Sequence, residues 1–140
     1  MRMNAGVLVG LLCGVSTMAY GQSNAERYML QERCGKQAAA VFAKEYSPSS
    51  QTKDGKHQRS NYQNHYSEKL NKCFFLEITT IFEKGKVSKL FRLFDLNENK
   101  EYGSYWESDE TPGFKDCVVA DIRCSSETEW RQLAKPYLED

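Results

Sequence analysis

The sequence has only two histidines, three prolines and no excess of either charge. Lys and Arg together number 19, as do Asp and Glu, so the chain lacks the basic surface typical of nucleic-acid and anionic-membrane binders. It has no Cys-x-x-Cys pair, and its histidines lie away from the cysteines, which argues against a structural zinc site. No Gly-x-Ser-x-Gly motif of a hydrolase nucleophile occurs either. We therefore expect no nucleic-acid partner, no metal site and no cofactor.

A long apolar run is also absent, and the one near the N-terminus is short. Arg2 precedes apolar residues 5–15, which is the pattern of a signal peptide. A membrane span needs about 20 apolar residues, so we expect no stable membrane anchor. Ala19 and Gly21 fit the −3 and −1 positions of a cleavage site after Gly21, with cleavage after Ala19 as the alternative. The sequence thus predicts a signal peptide at residues 1–21.

The remaining chain, residues 22–140, is predicted to form one domain. It keeps four cysteines, which are Cys34, Cys73, Cys117 and Cys124. An even number of cysteines in an exported protein indicates disulfides, here two. The fifth, Cys13, follows two leucines, a context that does not favour lipoprotein processing.

Four cysteines allow three pairings. We predict Cys34–Cys73, because Cys34 lies on the apolar stripe of a predicted helix and Cys73 begins the strand that this stripe would cover. The other pair, Cys117–Cys124, requires a chain reversal. An extended segment would separate its ends by ~23 Å, whereas a disulfide requires the two Cα atoms to lie within ~7 Å. We place that reversal at residues 120–121, where Asp tolerates a turn.

Two segments carry helix signals. Ser23 and Glu26 form a capping-box pattern ahead of an apolar stripe about five turns long, and Ser126 and Glu129 repeat the pattern near the C-terminus. Pro136 lies inside the second stripe and should kink or fray that helix from about residue 135.

Strand patterns occupy residues 73–83, 87–95 and 102–107, and the Cys117–Cys124 segment follows a Thr-Pro-Gly break at residues 111–113. Residues 47–61 are polar without an apolar period, so we expect a surface loop there. The predicted fold class is α+β: an antiparallel three- to four-stranded meander, with the N-terminal helix packed on one face and the C-terminal helix closing an edge or an end.

Short motifs are spread over most of the predicted mature chain: Cys34-x-x-Gln37-Ala38, Asn64-His65-Tyr66, Leu70-Asn71-Lys72-Cys73-Phe74, Glu101-Tyr102, and Cys124-x-Ser126 running into Trp130 and Lys135-Pro136-Tyr137. This pattern resembles that of uncharacterised exported bacterial proteins. The resemblance implies a periplasmic or secreted protein with the cysteines in its framework, and it implies no activity.

The candidate binding residues are polar or aromatic side chains in two clusters: His65 and Tyr66, then Tyr102, Tyr105 and Trp106. Histidine is suited to proton transfer near neutral pH, but a structural role in hydrogen bonding is the stronger interpretation of His65. On a regular strand Tyr102 and Trp106 would share one face, and Tyr105 would take the other. One face is expected to pack in the core, and a solvent-facing Tyr105 with a carboxylate rim would form a binding platform.

No catalytic set is assembled in the sequence, so we predict an exported, non-enzymatic protein that binds another protein or an envelope component. The alternative is a small periplasmic hydrolase in which His65 acts with carboxylates of residues 107–110. A concave pocket joining His65 to a carboxylate would favour the enzyme, and an exposed aromatic patch would favour the binding protein.

Overall fold

The computed structural model describes residues 23–109 and 115–140. The predicted signal peptide at residues 1–21 and the break at residues 111–113 lie outside the described residues.

Both predicted helices form, and both begin at the predicted caps. Helix α1 spans Asn24–Glu45, and the Ser23 hydroxyl accepts a hydrogen bond from the Glu26 N–H at 3.2 Å. Helix α2 spans Glu127–Leu138, and the Ser126 hydroxyl caps it in the same way. The predicted fraying from residue 135 is wrong, because α2 continues through Pro136 to Leu138.

The described residues contain seven strands in one antiparallel sheet, where each strand pairs with the next in chain order. The strands are β1 (Ser49–Gln51), β2 (His57–Ser67), β3 (Lys72–Glu83), β4 (Lys86–Asp95), β5 (Lys100–Ser108), β6 (Lys115–Val119) and β7 (Ile122–Arg123). The α+β class is confirmed, but the predicted count of three to four strands is wrong.

The largest error concerns residues 47–61, which contain β1 and the start of β2 rather than a surface loop. Strand β2 is polar along its length, so it carries no apolar signal. It nevertheless pairs residue by residue with the apolar strand β3. Main-chain hydrogen bonding does not depend on side-chain polarity. A polar strand can therefore supply the hydrogen-bond partners that the main-chain groups of β3 need.

The sheet has a helix on each face. Alternate residues of a strand point to opposite faces. Cys73 of β3 is bonded to Cys34 of α1, whereas the next residue, Phe74, packs in a cluster with Trp130 and Ala134 of α2. Helix α2 therefore covers the face opposite α1, and its predicted position at an edge or an end is wrong.

Both predicted disulfides are confirmed. Cys34–Cys73 joins α1 to β3, with the two Cα atoms 5.4 Å apart, and Cys117–Cys124 closes the β6–β7 hairpin at 5.0 Å. The reversal lies at Ala120 and Asp121, whose φ angles of 47° and 67° are those of a tight hairpin turn. Two disulfides are typical of proteins in an oxidising compartment. Neither helix of the described part of the chain is long and apolar enough to cross a membrane.

Candidate binding groove

His65 lies on the α2 side of β2, where its Nε2 is 3.2 Å from Oδ1 of Asp140. It is not near Glu107. The strand register aligns His65 with Lys100 across β3 and β4, and Glu107 lies at the other end of β5. The separation is roughly 25 Å, at ~3.3 Å per residue and ~4.8 Å per strand. The structure therefore does not bring His65 together with the described carboxylates of residues 107–109.

Tyr66 follows His65 on β2 and so points to the opposite face. Its ring is buried beside the Cys34–Cys73 disulfide, and its hydroxyl donates a hydrogen bond of 2.6 Å to Oδ1 of Asn71. Tyr66 also lines a groove of about 790 Å³ over that disulfide. His65 and Tyr66 thus belong to different surfaces.

The three aromatic candidates of β5 do not form one platform. The Tyr105 ring is fully buried, 5.3 Å from the Phe91 ring between their centroids. A register shift between Leu93 and Phe94 leaves Tyr102 unpaired, and its ring also packs on the α2 side. The predicted alternation, with Tyr102 and Trp106 on one face, is therefore wrong because a bulge adds one residue to β5.

Trp106 points to the α1 side of the sheet and is half-buried. It lines a small cavity of about 120 Å³ with Ile81 and Ser88, at the end of the sheet away from Tyr66. Of the five candidate residues, only Tyr66 lines the large groove.

This groove, here called the α1 groove, runs between α1 and the β4–β5 turn. Its first part encloses about 790 Å³ over the Cys34–Cys73 disulfide. The polar side chains that line this part are Arg33, Lys36, Gln37, Tyr66, Asn71 and Asn97. Such a volume lies within the usual range of ligand sites, which is ~300–1,000 Å³.

The second part of the α1 groove shares Gln37 with the first and encloses about 570 Å³. Its lining is more apolar and includes Val41, Phe75, Phe94 and Leu96. Gln37 holds the two walls together, since its amide donates a hydrogen bond to the carbonyl of Leu96 at 3.1 Å. A ligand that spans both parts would meet hydrogen-bonding groups at one end and apolar side chains at the other.

The charges of the first part are positive. Lys36 is paired with Glu32 at 2.6 Å, whereas the exposed side chain of Arg33 has no hydrogen bond or ion pair within residues 23–109 and 115–140. No acidic residue lines this part of the groove. A guanidinium presents several N–H donors in a planar fork, which suits a carboxylate or phosphate.

A buried polar cluster lies where the apolar part of the groove ends. Glu77 is almost fully buried, and its Oε2 is 2.6 Å from Nε of Arg92. The Tyr46 hydroxyl donates to the same oxygen at 3.2 Å, and the Thr79 hydroxyl donates to Glu77 Oε1 at 2.9 Å. Burial and the neighbouring Glu77 carboxylate raise the pKa of Tyr46. These bonds fix the C-terminal end of α1 against the sheet.

The groove residues Arg33, Gln37 and Asn97 were not among the predicted candidates. A signal was nevertheless available, because the predicted Cys34–Cys73 bridge places the neighbours of Cys34 beside the strand. Arg33 adjoins that cysteine, and Gln37 lies one helical turn further on. Asn97 gave no such signal, because it lies in the β4–β5 turn and is not a sequence neighbour of either cysteine.

The fold is that of a disulfide-linked α+β protein with one helix on each face of an antiparallel meander. Compared with protein-family models, curated proteins and solved structures, the chain matches none. Membership in a group of exported bacterial proteins therefore stays a prediction.

Proposed function

We propose that this chain is an exported binding protein and that the α1 groove holds its ligand, a protein segment or an envelope component carrying an anionic group. The observation that carries the proposal is the uncommitted guanidinium of Arg33 at a groove that contains no acidic residue in its first part. The disulfide and Tyr66 form a fixed floor for that part. A fixed site lowers the entropic cost of binding.

Two features support binding rather than chemistry at this groove. The polar lining of its first part consists of amides, a phenol and cations, which hydrogen-bond to a ligand but supply no carboxylate or imidazole for proton transfer. The Tyr66 hydroxyl is already engaged with Asn71, which holds both side chains in place. The groove therefore offers a preformed surface.

A second candidate function follows from the contact between His65 and Asp140. A histidine oriented by a carboxylate is one part of a hydrolase site, and Asp140 borders a groove of about 470 Å³ that Ser67 also lines. The Ser67 hydroxyl, however, accepts a hydrogen bond from the Leu70 N–H at 3.4 Å and has no bond to His65. Binding is the better-supported function, because this arrangement lacks an activated nucleophile.

Affinity capture from bacterial envelope extracts tests the proposal. We expect the folded protein to retain a ligand, and Arg33→Gln to reduce its retention roughly tenfold, the effect of losing one hydrogen bond to a charged group. Arg123→Gln is the matched control, because Arg123 is also exposed and lies on β7, away from the groove. Equal retention by both variants would contradict the proposed site.

A further inference from the structure

Strand β2 is much longer than the neighbour on its outer side. It spans His57–Ser67, but β1 pairs only with residues 57–59. The last main-chain bond on that side runs from the Ser60 N–H to the Pro48 carbonyl, at 3.1 Å. From residue 61 to residue 67, no strand of the described chain lies beyond β2.

The direction in which the main-chain groups of this open edge point alternates from residue to residue along the strand. The Ser60 N–H points outward, so those of Tyr62 and Asn64 point outward as well. The Tyr62 N–H is bonded to Oδ1 of Asn61 at 2.8 Å. The Tyr62 carbonyl and both main-chain groups of Asn64 have no hydrogen-bond partner within residues 23–109 and 115–140.

The edge lacks several of the usual devices against strand addition. Residues 61–67 include no lysine and no proline, and their register with β3 continues without a bulge. Asn61, Gln63 and Asn64 are exposed. At the other end of the sheet, β7 has two residues and leads directly into a disulfide. The fold thus protects one edge and leaves the other open.

We propose that a second copy of this chain pairs with residues 61–67 of β2, antiparallel and centred on Asn64, so that two sheets join into one. In this register the Asn64 N–H of each copy donates to the Asn64 carbonyl of the other. Gln63 faces His65 of the second copy, and Tyr62 faces Tyr66. The segment contains no charged residue, so pairing with itself opposes no like charges.

The surroundings of the edge leave room for this arrangement. In this register, residue 67 of the second copy lies opposite residue 61 of the first. Beyond residue 67 the second copy turns toward its own β3, so it does not enter the space that β1 of the first copy occupies. Above Asn64, α1 presents Gly35, where a Cβ atom would meet only Nδ2 of Asn64, at 3.9 Å. Two α1 helices can therefore approach across the two-fold axis. The α1 groove lies on the other flank of α1, toward β4, so this inference stands apart from the proposed function.

Sedimentation equilibrium over a range of protein concentrations tests the pairing. The natural chain should show a reversible monomer–dimer equilibrium. Asn64→Pro should weaken the dimer roughly tenfold or more, because two intermolecular hydrogen bonds are lost. At concentrations where both chains are monomeric, its thermal unfolding should change little, since that N–H is unbonded and edge strands tolerate proline. Asn64→Ala, which keeps the N–H, should retain the dimer.

Hydrogen exchange on the natural chain gives a test that does not depend on a variant folding. The Asn64 amide should exchange more slowly as the protein concentration rises. Under oxidation Asn64→Cys should form a covalent dimer, whereas Thr128→Cys, on the exposed side of α2, should not. A chain that stays monomeric with an unprotected Asn64 amide overturns the proposal, and so does a dimer that Asn64→Pro leaves intact.

Discussion

Glu77 lies directly opposite Arg92 across β3 and β4, and the two side chains form an ion pair with Oε2 2.6 Å from Nε. Glu77 is almost fully buried, whereas the Arg92 side chain is 37% exposed. The pair connects the centre of the sheet to the end of α1, because Tyr46 contacts both partners. An ion pair in this position orients α1 and with it one wall of the groove.

Loss of one partner should therefore be costly. We expect Arg92→Leu to lower the free energy of unfolding by about 3 kcal/mol, because it leaves the Glu77 charge buried without its cation. Urea denaturation measures the effect. The double variant Glu77→Leu with Arg92→Leu should recover most of the loss, since two apolar residues of similar size can replace a buried pair. A double variant as unstable as the single one would contradict this account.

The two disulfides should differ in their contribution to stability. Cys34 and Cys73 are separated by 39 residues, and Cys117 and Cys124 by 7. Loop-closure entropy predicts that replacing both cysteines of the first pair by serine costs about 1.5 kcal/mol more than replacing both of the second. Denaturant unfolding of the two double variants checks this order, and an equal or reversed order would rule out chain entropy as the main cause.

Two glycines should respond to alanine in opposite directions. A Cβ atom on Gly103 would lie 2.8 Å from the Val118 carbonyl oxygen, so Gly103→Ala should destabilise the protein by about 1–3 kcal/mol. Gly35 lies inside α1, where a Cβ atom would make only an ordinary contact with Nδ2 of Asn64 at 3.9 Å, so Gly35→Ala should stabilise by up to about 1 kcal/mol. Thermal unfolding at low protein concentration compares the two. No loss of stability in Gly103→Ala would show that the β5–β6 contact is looser than described, and a loss in Gly35→Ala would contradict the description of α1.

Tyr105 should give the protein an alkaline limit. Burial and then the Glu107 carboxylate raise the pKa of Tyr105 above its ordinary value of 10.0. Because the folded state disfavours the phenolate, this stability is present below about pH 10 and is lost as the pH rises through the folded pKa. Tyr105→Phe should make stability less dependent on pH above that value. Tyr28→Phe, at a ring that is 65% exposed, should leave the dependence unchanged, and equal slopes for both variants would contradict the prediction.

Some strands could be predicted from the sequence and others could not, because different features cause them to form. Strands β3 and β4 carry apolar side chains on both faces, so their own composition identifies them. Strand β2 forms because β3 needs a hydrogen-bonding neighbour, which is a property of β3 and leaves no apolar pattern in residues 57–67. The side of the sheet that α2 covers depends on the position of every strand, so it could not be predicted while β1 and β2 were missing.

The candidate site was predictable in part for a similar reason. The disulfide pairing followed from helix and strand patterns, and it already placed α1 beside β3. The Glu77–Arg92 pair also left a signal, because Glu77 interrupts the apolar run of residues 74–82 in β3 and Arg92 interrupts that of residues 90–94 in β4. The bulge that turned Tyr102 toward the core left none, since it depends on the register between β4 and β5.

Chemical-shift mapping tests the central claim, that the α1 groove is a binding site, most directly. Amide resonances of the labelled protein would be followed while the fraction captured from envelope extracts is added. The account predicts that the largest changes occur at Arg33, Gln37, Asn71 and Asn97, and that Arg33→Gln reduces them. Changes centred on Trp106 or on the β6–β7 hairpin, with the groove amides unmoved, would contradict it.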